Sequence, residues 1–400
     1  MRLLVVGHPF LLAHNQKKYV AMKQLNPDLQ LRLVVPDRGR DRFDVTDYEV
    51  HPLLDVKEVR PFRAWFAKSH MTYVHGPLGL ARLLREFRPH VIYIEEEPQA
   101  LITVETIALQ RLLLPETQVT LFTWDNLLRS RCFPIGTLKR RLRKWVLARV
   151  AGVVCGNRQA AELLRAENSF HGEINVVPQY GLDPEQHQPG TEPHLRRELG
   201  LADNLVVGFV GRFVPEKGLL LLIHALERLR SYPWKLLLVG SGPLQDELTK
   251  FATGSLSGRV VIVPAVPYED VPRYLRCSDI FVLPSYRTAA WMEQFGLAMT
   301  QAMMLGIPCI GSSSGAIPEV LGPGGLVFLE GEEDHLVQAL SFLLTEPDRR
   351  VELGWVGRKF ALSKYAESMI AAEYLSFFEK AGYFPRRPSG IPVEVDLLRH

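Results

Sequence analysis

Cysteine is scarce in this chain. Its 400 residues hold four (Cys132, Cys155, Cys277 and Cys309), none in a C-x-x-C pair. That spacing argues against a metal ribbon or a disulfide scaffold and fits a reducing, cytoplasmic setting. Long apolar runs are also missing. A membrane-spanning helix needs roughly 20 apolar residues; the best candidate, Leu219–Leu226, is broken by His224 and ended by Glu227. The opening run Met1–Val6 is strand-like and too short for a signal peptide. No G-x-G-x-x-G follows it, so a dinucleotide cofactor is not expected. The basic residues come without interleaved aromatics or a recognition motif, so nucleic acid is not an expected partner.

What is present is an ordinary globular composition, 47% hydrophobic and 23% charged. The length is large for one core and predicts two domains. Charge divides between them. Residues 1–183 hold 26 Lys and Arg against 19 Asp and Glu, and the remainder holds 21 against 25. A basic first half points to an anionic partner for it.

Short apolar runs alternate with helical patterns throughout, which predicts α/β architecture with doubly wound parallel sheets. In the first half the strands are Leu3–Val6, Leu31–Val35, His90–Ile94, Gln118–Phe122, Ala151–Cys155 and Ile174–Val177. Helices are expected at His14–Leu25, Gly79–Phe87 and Pro98–Leu113, with Asp37–Asp47 a charged loop. Residues 178–203, rich in Pro, Gly, Gln and His, read as the interdomain linker. In the second half the strands are Leu205–Val210, Lys235–Val239, Val260–Val263, Asp279–Pro284 and Pro308–Gly311, with helices at Leu219–Leu229, Leu244–Phe251, Leu297–Leu305 and Ala366–Lys380.

The stretch 285–320 organises the chain. A buried strand feeds a loop holding Glu293, and then Phe295-Gly296-Leu297 opens an apolar helix. Such a loop lies at the carboxyl end of a strand, where open α/β sheets bind ligands. Gly296 lets backbone come close, and the helix start offers N–H groups from Phe295, Gly296 and Leu297. A carboxylate that holds hydroxyls beside donors that hold an anion describes a sugar nucleotide. A second loop agrees. Gly211 allows a tight turn after Leu205–Val210, and Arg212 and Lys217 flank that loop, where both can reach one diphosphate. Gly240-Ser241-Gly242-Pro243 is a further, weaker phosphate-type loop; Gln245 at its sixth position again disfavours NAD.

The pattern E-x-F-G-L, an apolar helix, G-I-P and S-G-A-I-P-E-V, with G-R-x-x-x-E-K-G before it, resembles the donor motifs of family 4 retaining glycosyltransferases of the GT-B fold. The resemblance implies two Rossmann-like domains facing a cleft. It places an acceptor domain at 1–183, a linker at 184–203 and a nucleotide-sugar domain at 204–365. A last helix, about 366–381, crosses back to the first domain, and residues 385–400 form a tail. It implies transfer of a sugar from a nucleoside diphosphate to an acceptor hydroxyl, lipid-linked or glycan, in α linkage. No cofactor or metal is required. Arg212, Lys217 and Glu293 would be catalytic. Gly211, Gly240, Gly242, the backbone at Val266, Phe295, Gly296, Leu297 and Gln301 would hold the donor, with Val266 at the base and Gln301 at the ribose. Members carry a second glutamate where Gln301 stands; Gln301→Glu is therefore expected to keep nucleotide affinity. Members often have a histidine where Trp124-Asp125-Asn126 stands.

Several readings stay open. His8, Glu97 and Asn126 either contact acceptor or donor sugar or serve only locally, His8 as a turn cap and Glu97 as a solvated strand end. The basic, amphipathic stretch Arg129–Arg149 either lies against anionic lipid at the inner face of the membrane or packs its apolar stripe on the sheet. The departures at 124–126 and 301 keep two other functions in view: a GT-B-like binding protein without transfer, and a sugar-nucleotide epimerase.

Overall fold

The computed structural model describes residues 2–40, 45–66, 71–127, 135–202 and 204–380. The tail 385–400 and the start of the basic stretch, 129–134, lie outside them. The first sheet is built from β1 (Arg2–Val6), β2 (Gln30–Pro36), β5 (Val59–Phe62), β6 (Val91–Ile94), β7 (Gln118–Thr123), β8 (Gly152–Cys155) and β9 (Glu173–Val176), with a separate pair β3 (Arg38–Arg40) and β4 (Val45–Asp47). Its order is β5-β2-β1-β6-β7-β8-β9, all parallel. The second sheet holds β10 (Leu205–Val210), β11 (Trp234–Val239), β12 (Val260–Val263), β13 (Ile280–Leu283), β14 (Cys309–Ser312) and β15 (Gly325–Phe328). Its order is β12-β11-β10-β13-β14-β15, also parallel. The predicted pair of doubly wound domains is present.

Central strands such as β6 (VIYI) and β13 (IFVL) are buried along their whole length. Helices cover both faces of a parallel sheet, so such strands read as unbroken apolar runs. On the first domain these helices are α1 (Lys17–Leu25), α2 (Pro77–Phe87), α3 (Leu101–Leu113), α4 (Ile135–Leu147) and α5 (Arg158–Arg165). The 178–203 linker is not wholly irregular: α6 (Pro193–Glu198) lies inside it. The second domain adds α7 (Leu219–Arg228), α8 (Gln245–Thr253), α9 (Val271–Leu275), α10 (Leu297–Met304), α11 (Ile317–Leu321), α12 (Glu333–Thr345) and α13 (Pro347–Tyr365). The charged segment expected as a loop at Asp37–Asp47 contains the antiparallel pair β3–β4, joined Arg38 to Asp47. The helix expected from His14 begins at Lys17, because two 3-10 turns precede it.

The last helix, α14 (Glu367–Lys380), packs into the first domain. Ile370, Ala371, Tyr374, Phe377 and Phe378 share one core with Leu3, Val5, Leu31, Leu33 and Tyr93. The two interdomain segments lie side by side: Leu182 N–H donates to the Tyr365 carbonyl, and Glu367 N–H donates to the Leu182 carbonyl. Strand order reverses between β1 and β6 and between β10 and β13. Loops at the carboxyl ends of these strand pairs are the natural ligand sites of both sheets.

Candidate functional site

At the β10–β13 switch point the two predicted loops meet. Glu293 is buried after β13, and its Oε2 accepts from Lys217 Nζ at 2.6 Å and from Ser285 Oγ at 3.0 Å. Lys217 also lies 5.0 Å from the centre of the Trp291 ring. Glu293 Oε1 meets no protein donor among the described residues. Arg212 is exposed, and among the described residues its guanidinium meets no carboxylate. The site thus has one cation already neutralised and one available. Gly218, after Lys217, has φ +70°, and a Cβ there would stand 2.0 Å from the Pro284 carbonyl oxygen. Only glycine lets the Lys217 loop lie against the end of β13.

The other donor candidates cluster around this pair. Gly211 ends β10, and the loop carrying Gly240 and Gly242 packs on it: Phe213 N–H donates to the Ser241 carbonyl at 2.8 Å. Gly296 caps α10 with φ +80°, so the N–H groups of Phe295, Gly296 and Leu297 stand at the helix start. Val266 is half-buried on the loop after β12 and packs on the second-domain cores. Gln301 is buried on α10, with its Nε2 3.3 Å from His187 Nε2.

Across the cleft, the carboxylates of Glu95-Glu96-Glu97 avoid mutual repulsion by pointing to three different sets of donors. Glu95 takes Lys18 at 2.5 Å and the Tyr19 hydroxyl, all buried. Glu96 takes the His8 main-chain N–H at 2.8 Å, His8 Nδ1 at 2.6 Å and the Tyr73 hydroxyl at 2.8 Å. Glu97 takes the Thr123 hydroxyl at 2.6 Å and the Trp124 N–H at 3.0 Å. Burial, helped by the nearby Asp125 charge, pushes the Glu97 carboxyl up to about 7.

Glu97 therefore supports the loop Trp124-Asp125-Asn126, and that loop touches the donor side. Asn126 Nδ2 donates to the Glu293 carbonyl at 3.0 Å, and Gln294 Nε2 donates back to the Trp124 carbonyl at 3.0 Å. Asn157 Nδ2 reaches the Gln294 carbonyl at 3.0 Å and Gln159 Nε2 reaches that of Gly315 at 3.2 Å. The Trp124 ring lies 5.9 Å from that of Phe295, and its indole N–H donates to Gln179. A clasp of uncharged amides thus joins the domains around the Glu293 loop.

Sequence reasoning missed Ser285, Trp291, Asn157, Gln159 and Gln294. All but Ser285, which is eight residues from Glu293, take their role from a partner distant in the chain. Only Ser285, directly after a strand on the ligand side, carried a positional signal.

In the basic stretch, Val146 and Leu147 of α4 are buried and Leu142 and Trp145 half-buried, while Arg140, Arg141 and Lys144 are exposed. Arg143 pairs inward with Glu167 at 2.5 Å and Asp125 at 3.4 Å. The apolar stripe faces the sheet and basic side chains face out. Among the described residues no helix is long and apolar enough to cross a membrane.

Residues 22–179 match the family model described as Glycosyl transferase 4-like domain, and residues 192–360 match Glycosyl transferases group 1. One relative is the GDP-mannose-dependent alpha-(1-6)-phosphatidylinositol monomannoside mannosyltransferase of Mycolicibacterium smegmatis, 30% identical over 46% of this chain and 51% of its own. Another is the monoacylated-substrate counterpart from Corynebacterium glutamicum, 32% identical over 49% and 54%. The chain spans about half the length of these curated relatives. Among solved structures, sucrose-phosphate synthase of Thermosynechococcus elongatus superposes with a TM-score of 0.69 at 19% identity, covering 95% of this chain and 98% of that one. Anabaena HepE in complex with UDP superposes at 0.71 and 18% identity, covering 95% and 100%. The chain has the GT-B fold, and each of its two domains matches a glycosyl transferase family model.

Proposed function

We propose that this protein is a retaining glycosyltransferase that moves a hexose from a nucleoside diphosphate to an acceptor hydroxyl. The observation that carries the reading is the Lys217–Glu293–Ser285 cluster beside Arg212, which meets no carboxylate among the described residues, at the switch point of the second sheet. Glu293 Oε1 accepts from a hydroxyl of the donor sugar. Arg212 and Lys217 face the diphosphate. As the glycosidic bond breaks, negative charge grows on the departing β-phosphate, and fixed cations stabilise that state more than the ground state. The acceptor oxygen attacks from the same face that the phosphate leaves. The departing phosphate oxygen takes the acceptor's proton, so no protein nucleophile is needed and the α configuration is kept. Arg212, with Lys217 shared between Glu293 and the phosphate, supplies charge that a metal would otherwise bring. Front-face attack needs the two substrates held together, and the amide clasp holds the first domain against the Glu293 loop.

The basic first domain and the lipid acceptors named for the mycobacterial and corynebacterial relatives favour a lipid-linked acceptor. The exposed Arg140, Arg141 and Lys144 would then hold the enzyme at an anionic surface. The test is thermal shift against UDP, GDP, ADP and their sugars, with wild type and Lys217→Ala side by side. A rise with one nucleotide, lost in the variant, identifies the base. Product NMR with that donor then reads the anomeric configuration. No rise with any nucleotide at millimolar concentration would overturn the proposal.

A further inference from the structure

Gln301 occupies the place of a carboxylate in the resembled family, and its neighbour accounts for the change. The segment between the domains brings His187 against Gln301, the two being 1% and 2% exposed. His187 Nδ1 lies 2.8 Å from the Asp183 carbonyl oxygen. A carbonyl can only accept, so Nδ1 bears the proton, and in the neutral ring Nε2 keeps a lone pair. Gln301 Nε2 lies 3.3 Å from that lone pair, and only the amide NH₂ can satisfy it. Gln301 Oε1 meets no protein donor among the described residues and remains available to accept.

His187 does not depend on Gln301 for its place. Its own N–H donates to the Asp183 carbonyl at 3.2 Å, and its carbonyl accepts from Arg358 Nη1 at 2.9 Å. Arg276 binds the carbonyls of Gln186 and Gln188 on either side, each at 3.1 Å. The charges around the ring are Asp183, Lys17 from α1, Arg276 beside β13 and Arg358 from α13. Burial lowers the imidazole's affinity for a second proton. Asp183 opposes that effect, while Lys17 and Arg276 add to it.

We propose that His187 is a positioning residue of the donor site: it orients the Gln301 amide so that one neutral acceptor, Oε1, meets a ribose hydroxyl. The ribose part rests on the donor-site reading above; the pairing of His187 with Gln301 stands on its own geometry. The pairing also revises the expectation that Gln301→Glu is innocuous. A carboxylate at 301 faces the Nε2 lone pair, and the repulsion is relieved when the pair takes up one proton, which the more basic imidazole holds.

The experiment is an NMR titration of the histidine Cε1–H resonances in the full chain, with His187 assigned by its loss in His187→Gln. In wild type His187 titrates below the ordinary value of about 6.5. In Gln301→Glu its midpoint is expected to rise by about one unit or more. Identical midpoints overturn the pairing. A second arm measures nucleoside diphosphate affinity and takes the ratio of variant to wild-type Kd at each pH, which cancels the titration of the phosphate itself. That ratio is expected to grow about tenfold as His187 loses its proton. A flat ratio with a shifted His187 overturns the ribose contact and leaves the pairing standing. Should wild type bind no nucleoside diphosphate, the donor-site reading falls with the ribose contact, and the NMR arm still decides the pairing. Should Gln301→Glu fail to fold, His187→Phe keeps the ring volume and the Arg358 contact. It is expected to weaken nucleotide binding about threefold to tenfold, the worth of one hydrogen bond; unchanged affinity overturns the positioning role.

Discussion

The two sheets share a topology, yet they use the same place differently. At the β1–β6 switch point, Glu95, Glu96 and Glu97 are each taken up by protein donors. At the β10–β13 switch point, among the described residues, Glu293 keeps one oxygen unengaged and Arg212 meets no carboxylate. Each cluster leaves a carboxylate oxygen without a protein donor among the described residues, Glu95 Oε2 and Glu293 Oε1, but the first is sealed in the core beside Lys18, whereas the second stands near the exposed guanidinium of Arg212. Unsatisfied groups in a cleft are where a ligand gains most, because it completes hydrogen bonds that the protein lacks.

Breaking this comparison starts with Lys18. Lys18→Met leaves Glu95 as an unpaired buried charge, and loss of about 3–5 kcal/mol of stability is expected by chemical denaturation. A loss below about 1 kcal/mol would show that Lys18 does not neutralise Glu95 in the core. Next is Lys217→Ala, for which turnover is expected to fall by about 10²–10³ while the fold survives; Glu293 loses its partner, so stability also falls, by less than in Lys18→Met because this pair is less buried. Turnover near that of wild type would remove Lys217 from the reaction. Asn126→Ala deletes one hydrogen bond of the clasp, about 0.5–1.5 kcal/mol. Turnover should drop severalfold while thermal stability and donor binding barely move; a change in donor binding alone would place Asn126 on the substrate instead.

The smallest effect sharpens the contrast through pH. The folded Glu97 carboxyl sits at about 7, above its usual range. Between about 4.5 and 7 the folded state therefore binds more protons than the unfolded state, and stability falls as pH rises through that window. Glu367, also near 7 through burial, has the same sign. Glu97→Gln removes the Glu97 share, so its melting temperature should vary by a few degrees less than that of wild type between pH 5 and 7.5. An unchanged slope would show that Glu97 is not the titrating group.

Much of this was legible in the residues. Strands buried on both faces announce themselves as apolar runs, which is why β6, β10 and β13 were placed within a residue or so. Two edge strands, β9 and β12, were read from their apolar runs as well, but β5 and β15 were not. β5 carries Pro61, tolerated only where a ladder N–H is dispensable, and β15 opens with Gly325 at the other sheet's rim. The loops with Arg212, Lys217, Glu293 and Gly296 were readable because their chemistry lies in local spacing. The clasp was not, since Asn126 and Asn157 act on carbonyls more than a hundred residues away. Nor was the match of Gln301 to His187, which lies more than a hundred residues earlier in the chain.

Helix α14 has a consequence for the order of events during synthesis. It completes a core otherwise made from the first half of the chain. A growing chain that has passed residue 204 still exposes Tyr93, Phe10 and Leu33 to whatever surrounds it. The second domain can close its own core before the first has closed. Domains usually fold in the order in which they emerge from the ribosome; here the first domain made is the last one finished.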